Sequence, residues 1–251
     1  MNRNVAVIIL AAGLGTRMKS DKAKVLHKVL GKPMIHYVVE AAIQVAGNNV
    51  ILVVGHQAEK VQETVAKIGE FTYAFQDRQL GTGHAVLCAL PYLPAHISEV
   101  VILCGDTPLI SPRTLNEFVD NHLQARRDIS LLAVKLENPM GYGRILLDSN
   151  GQLRAIVEES DATVEQKQIK IINSGIYCIN KQLLHDALPK ITDKNAQGEI
   201  YLTDVIEIGH FERKKVGIKI GPDPLEVTGI NSLQDLAQVE AIMREASFNK
   251  T

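Results

Sequence analysis

Tryptophan is absent from the 251-residue chain, and aromatic residues of all kinds make up only 4% of it. That is too few for the stacking platform on which single-stranded nucleic acid is bound. An excess of one charge is missing as well: 27 Lys and Arg stand against 28 Asp and Glu, a formal net charge of −1. The chain therefore lacks the basic field that holds DNA or RNA, and nucleic acid is excluded as a partner. Cysteine is scarce. Cys88, Cys104 and Cys178 show no CxxC spacing and sit in apolar runs, the pattern of buried thiols in a reducing compartment, which excludes metal sites built on sulfur. No apolar run approaches the length of a membrane span, and the opening "MNRNVAVIILAAG" is too short and too quickly polar for a signal peptide. A cytoplasmic protein without a membrane partner is expected. There is also no linker rich in Pro, Gly or Ser, no internal repeat and no low-complexity stretch.

What is present is apolar and alternating. Hydrophobic residues make up 46% of the chain, enough for a sizeable core. "VAVIILA" (5–11), "VILVVG" (50–55), "TYAFQ" (72–76) and "VVILCGD" (100–106) are short apolar runs ending in glycine or polar residues, as expected of parallel strands buried on both faces. Between them "MIHYVVEAAIQVAG", "AEKVQETVAKIG" and "GHAVLCALPYL" carry apolar residues at helical spacing, and Ser111 with Pro112 opens a further helix. The pattern predicts a Rossmann-like α/β fold, a doubly wound, mainly parallel sheet flanked by helices. Such sheets bind ligands at the carboxyl ends of their strands, so the glycine turn after the first strand and Asp106 after the fourth should meet.

The second half reads as a smaller, β-rich lobe. "GYGRILLDSNGQLRAIVEE" predicts a hairpin turning at Ser149, Asn150 and Gly151. "IKIINSGIYCIN" and "VGIKIG" predict strands, "KQLLHDALPKI" and "EIYLTDVIEIGHFER" helices, and the tail "NSLQDLAQVEAIMREASFNKT" an amphipathic terminal helix that frays.

The loop "LAAGLGTRMKSDKAKVLHKVLGKPM" (10–34) decides what kind of ligand to expect. Gly13 and Gly15 suggest backbone approaching a phosphate or a flat base. A dinucleotide fingerprint needs a third glycine where Met18 stands, and a Walker loop needs glycine directly before the Lys-Ser pair, again Met18. Neither motif fits. What remains is a two-glycine turn followed by Arg17 and Lys24, pointing to an anionic ligand, with a surface loop carrying incidental cations as the alternative.

These residues carry a resemblance. "LAAGLGTRM" with "KVLH" resembles the signature of nucleotidyltransferases acting on sugar 1-phosphates. "QLGTGHA" (79–85), "GDTPLI" (105–110), "NPMGYGRI" (138–145), "IVEESDAT" (156–163), "INSGIY" (172–177), "NAQGEIYLTD" (195–204) and "VTGIN" (227–231) follow in order. Together they resemble the uridylyltransferase domain of bifunctional N-acetylglucosamine-1-phosphate uridylyltransferase/glucosamine-1-phosphate acetyltransferases. The resemblance implies a nucleotidyltransferase domain over 1–231, with a nucleotide-binding half (1–126) and a sugar-binding half (127–231), then a C-terminal helix and tail (232–251). Nothing in the chain resembles the acetyltransferase β-helix of the bifunctional members, so neither that activity nor its trimer is inferred.

The resemblance also implies roles. The substrates would be UTP and N-acetylglucosamine 1-phosphate, with Mg²⁺ held by Asp106 and Asn231 and reaction-site cations from Arg17 and Lys24. Uracil would lie over Ala11, Ala12 and Gly13 and meet Gln76 and Gly81, with Gln79 and Thr82 bordering and Leu10 also nucleotide-binding. Gly143, Glu158, Asn173, Tyr201 and Thr203 would receive the sugar and its phosphate. Plainer readings stand beside these. Asp106 could form a turn, Asn231 could cap the last helix, and each sugar candidate could be a solvated strand residue. His84 begins a helical apolar run and is assigned to structure, as is His56. Three positions depart from the family: Ala23 where proline is common, which predicts a more mobile loop, Leu14 at an often basic position, and Cys104 in place of tyrosine. Transfer to another hexose 1-phosphate and a non-catalytic sugar-nucleotide sensor remain the rival functions.

Overall fold

The computed structural model describes residues 4–248; the last three residues of the tail expected to fray lie outside them. In chain order the strands are β1 (Val5–Ala11), β2 (Lys28–Val29), β3 (Lys32–Pro33), β4 (Val50–Val54), β5 (Thr72–Phe75), β6 (Glu99–Cys104), β7 (Ile129–Lys135), β8 (Arg144–Leu147), β9 (Leu153–Val157), β10 (Ile171–Asn180) and β11 (Val216–Ile220). The helices are α1 (Met34–Ala46), α2 (Ala58–Val65), α3 (Thr82–Ala89), α4 (Pro112–Ala125), α5 (Lys181–Ala187), α6 (Asp204–Phe211) and α7 (Leu233–Phe248).

The main sheet runs β11-β7-β10-β6-β1-β4-β5, with β8 and β9 branching from β10. Strand β1 is parallel to both β4 and β6, β4 to β5, and β11 to β7. Strand β10 enters antiparallel between β6 and β7. The expected mixed, mainly parallel sheet is present, and its crossover from β1 to β4 and β6 leaves a crevice at the carboxyl ends of β1 and β6.

The apolar runs follow from burial on both faces. Val5, Val7 and Ile9 face the core that contains α1, while Ala6 and Ile8 face the core under α3. A strand so placed has no solvent side and needs no polar alternation. Each fully buried Val, Leu or Ile contributes roughly 1.5–3 kcal/mol relative to exposure. Helix α7 joins the first core through Val239, which is fully buried. Its start is closed by a reciprocal cap, in which the Asp235 N–H donates to Ser232 Oγ (3.2 Å) and the Ser232 N–H to Asp235 Oδ2 (2.9 Å).

Three features differ from the expectations. Strand β7 lies inside the sheet, between β11 and β10, although no strand is predicted there. The small β2–β3 hairpin turns through Leu30 and Gly31, both at positive φ, and receives α7 through a bond from the Leu30 N–H to Glu240 (2.8 Å). The helix expected over 199–213 begins only at Asp204, because Ile200 is taken up in bonds with the 80–83 loop: its N–H donates to Leu80 O (2.7 Å) and its carbonyl accepts from the Gly83 N–H (2.8 Å). One buried constellation invites a catalytic reading: His122 lies between Ser130 Oγ (2.9 Å) and Glu99 (3.1 Å). With His122 1% and Ser130 0% exposed, it is closed to any substrate and serves to join α4, β7 and β6.

Candidate active site

The glycine turn delivers its cations through a close backbone contact. Gly15 has φ +66°, and a Cβ there would lie 2.7 Å from Lys24 Cβ, so only glycine lets the loop fold back on the segment carrying Lys24. Buried Met18 anchors the turn that projects Arg17 outward. Arg17 Nη2 donates to Asn231 Oδ1 at 2.9 Å, and Lys24 Nζ donates to the same oxygen at 3.0 Å. Lys24 Nζ also pairs with Asp106 Oδ2. Residues as far as 214 positions apart thus form one cluster.

The plainer readings of the two oxygen donors fail. The turn after β6 is closed by Thr107, whose Oγ1 donates to Cys104 O (2.9 Å), leaving the Asp106 carboxylate to face Lys24. The start of α7 is capped by Ser232 and Asp235, and Asp235 also accepts the Asn231 N–H (2.9 Å). The Asn231 side chain is free to point at the cations instead. Ala23 also has a role that proline could not fill: its N–H donates to Gln57 Oε1 (3.0 Å), a bond that ties down the loop expected to be more mobile.

A cavity of about 460 Å³ opens beside this cluster. Its wall includes every nucleotide candidate, Leu10, Ala11, Ala12, Gly13, Gln76, Gln79, Gly81 and Thr82, together with Leu14, Lys24, Asp106, Cys104 and Glu199. Exposed Leu14 gives the loop an apolar lip where a base would add charge. Gly81 has φ +110°, and a Cβ there would lie 2.5 Å from Ile200 O. The N–H of Leu202 donates to Thr82 Oγ1 (3.0 Å), so the 80–83 loop and the segment leading to Tyr201 and Thr203 are fastened to each other.

None of the five sugar candidates lines that cavity; Gly143, Glu158 and Asn173 gather beyond Cys104, which borders it. Strand β10 is irregular between Asn173 and Tyr177, with Gly175 at φ +77° and its carbonyl oxygen 3.9 Å from the Cys104 sulfur. The irregularity turns Asn173 inward, where its Oδ1 accepts from the Gly175 N–H (2.8 Å) and the Tyr177 hydroxyl (3.0 Å). The Asn173 N–H donates to Gly143 O (2.9 Å), and a Cβ on Gly143 would lie 3.2 Å from both carboxylate oxygens of Glu158. Arg144, a residue absent from the sequence expectations, braces this wall: fully buried, it bonds Glu159 (2.8 Å) and the Tyr142 carbonyl. Tyr201 and Thr203 are buried, and the Thr203 hydroxyl oxygen has no hydrogen-bond partner among the described residues.

The electrostatics separate the two sides. Burial, reinforced by Asp106, pushes the Cys104 thiol up to about 12, so it is a neutral wall and not a nucleophile. On the sugar side burial raises Glu158, with Asp161 and Asp204 adding repulsion. Burial first, then Glu207 and Asp161, raises Asp204 from 3.8 to about 6. A carboxyl whose folded pKa exceeds its unfolded one favours the folded state only while protonated. Its destabilising effect is absent below about pH 4 and grows as pH rises through about 6. Asp204→Asn is therefore expected to raise the melting temperature at pH 7.5 and to leave it unchanged at pH 4; equal shifts at both would contradict the assignment.

Comparison with known proteins identifies the family. Residues 6–219 match the nucleotidyl transferase family. Proteins named bifunctional protein GlmU are similar throughout the chain: 45% identity over 240 residues in Geotalea daltonii, 44% over 240 in Desulfotalea psychrophila and 48% over 237 in Caldanaerobacter subterraneus subsp. tengcongensis. These alignments cover 96%, 96% and 94% of this chain, and 52%, 70% and 51% of the relatives. The chain thus spans about half the length of most of these curated relatives. The fold is that of a Bacillus anthracis protein described as a glucose-1-phosphate thymidylyltransferase, in complex with a sucrose, at a TM-score of 0.77 and 18% identity over 96% of this chain and 95% of that one. The matched span of residues 6–219 includes the glycine turn, Arg17, Lys24 and Asp106, and the chain belongs to the nucleotidyl transferase family.

Proposed function

We propose that this protein transfers UMP from UTP to N-acetylglucosamine 1-phosphate, giving UDP-N-acetylglucosamine and pyrophosphate, with Mg²⁺ as cofactor. The observation that carries the reading is the meeting of Arg17, Lys24, Asp106 and Asn231 in one cluster, of which Lys24 and Asp106 line a cavity that also holds Gln76 and Gly81. The 44–48% identity to proteins named bifunctional protein GlmU supports it.

The chemistry asks little of the protein beyond placement. A phosphate monoester has a second pKa near about 6 and is already largely a dianion at neutral pH. Its oxygen attacks the α-phosphorus of UTP in line, one P–O bond forms as the bond to pyrophosphate breaks, and no proton need move. Arg17, a planar fork, suits the triphosphate oxygens. Lys24 has three N–H donors, of which Asp106 and Asn231 take two, leaving one for phosphate. Asp106 and Asn231 fit a hard cation, since both present oxygen to a single cationic group. Among the described residues there is no cluster of three or more His, Cys, Asp or Glu that could hold a metal. Mg²⁺ bound by these two oxygens would be completed by substrate phosphate and water, and would neutralise charge on the reacting phosphates. Thr203 Oγ1 and the Asn173 NH₂ group are available to the sugar phosphate and the acetamido carbonyl.

The test is pyrophosphate release with UTP, Mg²⁺ and a panel of hexose 1-phosphates. N-acetylglucosamine 1-phosphate is expected to exceed glucose and glucosamine 1-phosphates in kcat/KM by a wide margin, because each of the latter leaves a built donor unpaired. Asn173→Ala should narrow that margin while sparing UTP binding. Equal use of all three sugars by the unmodified protein would remove the sugar assignment and leave nucleotidyl transfer standing.

A further inference from the structure

We infer that His84 fixes which end of the Gln76 amide meets the base, and thereby sets a preference for uracil over cytosine; the inference rests on the uridine-nucleotide reading above. Gln76 is 4% exposed and stands in the cavity wall. The nitrogen end of its amide lies 3.1 Å from the Gly81 carbonyl oxygen and 3.1 Å from His84 Nδ1. A carbonyl oxygen can only accept, so the group facing Gly81 must be the NH₂. His84 Nδ1 then accepts the second N–H, and the imidazole proton resides on Nε2. That nitrogen lies 3.9 Å from the sulfur of Cys88, one turn along α3. Burial raises the Cys88 thiol, so the sulfur stays protonated and serves as a weak acceptor for the Nε2 proton.

With both N–H groups engaged away from the ligand, the Gln76 side chain presents only Oε1. This atom has no hydrogen-bond partner among the described residues. Uracil carries N3–H, a donor that matches it. Cytosine carries a lone pair at N3, and two acceptors facing each other across a cavity repel. An amide free to rotate would offer NH₂ to cytosine as readily as oxygen to uracil; His84 and Gly81 together prevent that rotation. Thymine has the same imide edge as uracil, so the device does not separate those two bases.

The experiment compares kcat/KM for UTP, CTP and dTTP, at saturating sugar phosphate, in the unmodified protein, His84→Phe and His84→Asn. His84→Phe keeps the ring and loses the acceptor; the UTP:CTP ratio is expected to fall about tenfold, the effect of one neutral hydrogen bond, with the UTP:dTTP ratio and the sugar-phosphate KM unchanged. His84→Asn places Oδ1 where Nδ1 stands and is expected to retain the ratio. A histidine that only packs α3 would lower all three nucleotides alike. An unchanged UTP:CTP ratio in His84→Phe, or equal loss in the Asn variant, overturns the inference. If the Phe variant does not fold, UTP and CTP affinities of His84→Ala by calorimetry supply the same comparison. Indifference between UTP and CTP in the unmodified protein would instead refute the uridine-nucleotide reading itself.

Discussion

Replacing Asp106 by alanine is expected to reduce pyrophosphate release by roughly 10³-fold or more, since a bound cation supplies several kcal/mol of charge stabilisation that nothing else in the site replaces. The loss should not come from unfolding. Asp106 closes no turn, and the backbone around it is held by Thr107 Oγ1 and by the bond from the Ile230 N–H to Asp106 O (2.9 Å). Among the described residues its side chain pairs only with Lys24, and both groups line the open cavity, so the ammonium left behind keeps access to water and to Asn231. A melting temperature within a few degrees of the unmodified protein should therefore accompany the loss. In parallel, chelation should silence the unmodified enzyme and Mg²⁺ should restore it. Full turnover by Asp106→Ala in excess chelator would show that no metal is held there.

That Asp106 can be picked out from the sequence has a physical basis: it follows an apolar strand whose end must emerge at the carboxyl edge of a parallel sheet, and the same rule places the glycine turn there. Asn231 precedes α7 and follows no strand, so only the family resemblance points to it. Gly15 was legible as a residue type that only close backbone approach requires, although the contact it permits, with Lys24, is visible only in three dimensions. Strand β7 was not legible because the helix before it ends without punctuation. Arg126, at φ +49°, takes the left-handed position that glycine commonly fills, so no breaker separates helix from strand.

The sugar side was harder to read for a different reason. Gly143, Glu158 and Asn173 are brought together by a branch hairpin and by an irregular register in β10, and register is a property of strand pairs. The same holds for the start of α6, which is delayed by bonds from Ile200 to a loop more than a hundred residues earlier. His84 shows the limit most clearly: its helical, apolar surroundings imply packing, while its hydrogen bond to Gln76 depends on a strand end and a helix start meeting at one turn.

The second large effect concerns Lys24. Its ammonium is held at 3.0 Å from Asn231 Oδ1 and paired with Asp106, and Gly15 fixes the backbone from which it extends. A donor so placed need not reorganise as charge develops on the oxygens of the α-phosphorus, which is the condition under which one donor is worth most to a reaction. Lys24→Ala is expected to lower kcat by roughly 10²–10³, the usual loss for one such donor, with a smaller change in the KM for UTP because Arg17 and the backbone of the glycine turn still receive the triphosphate. The stability change should be slight, since the side chain leaves no buried partner stranded: Asp106 and Asn231 both keep access to the cavity or to Arg17. Measuring kcat and KM separately distinguishes the roles. A fall in kcat and kcat/KM together identifies an interaction made in the transition state, whereas a rise in KM at constant kcat would reduce Lys24 to a binding residue and move the charge stabilisation to Arg17 and the metal.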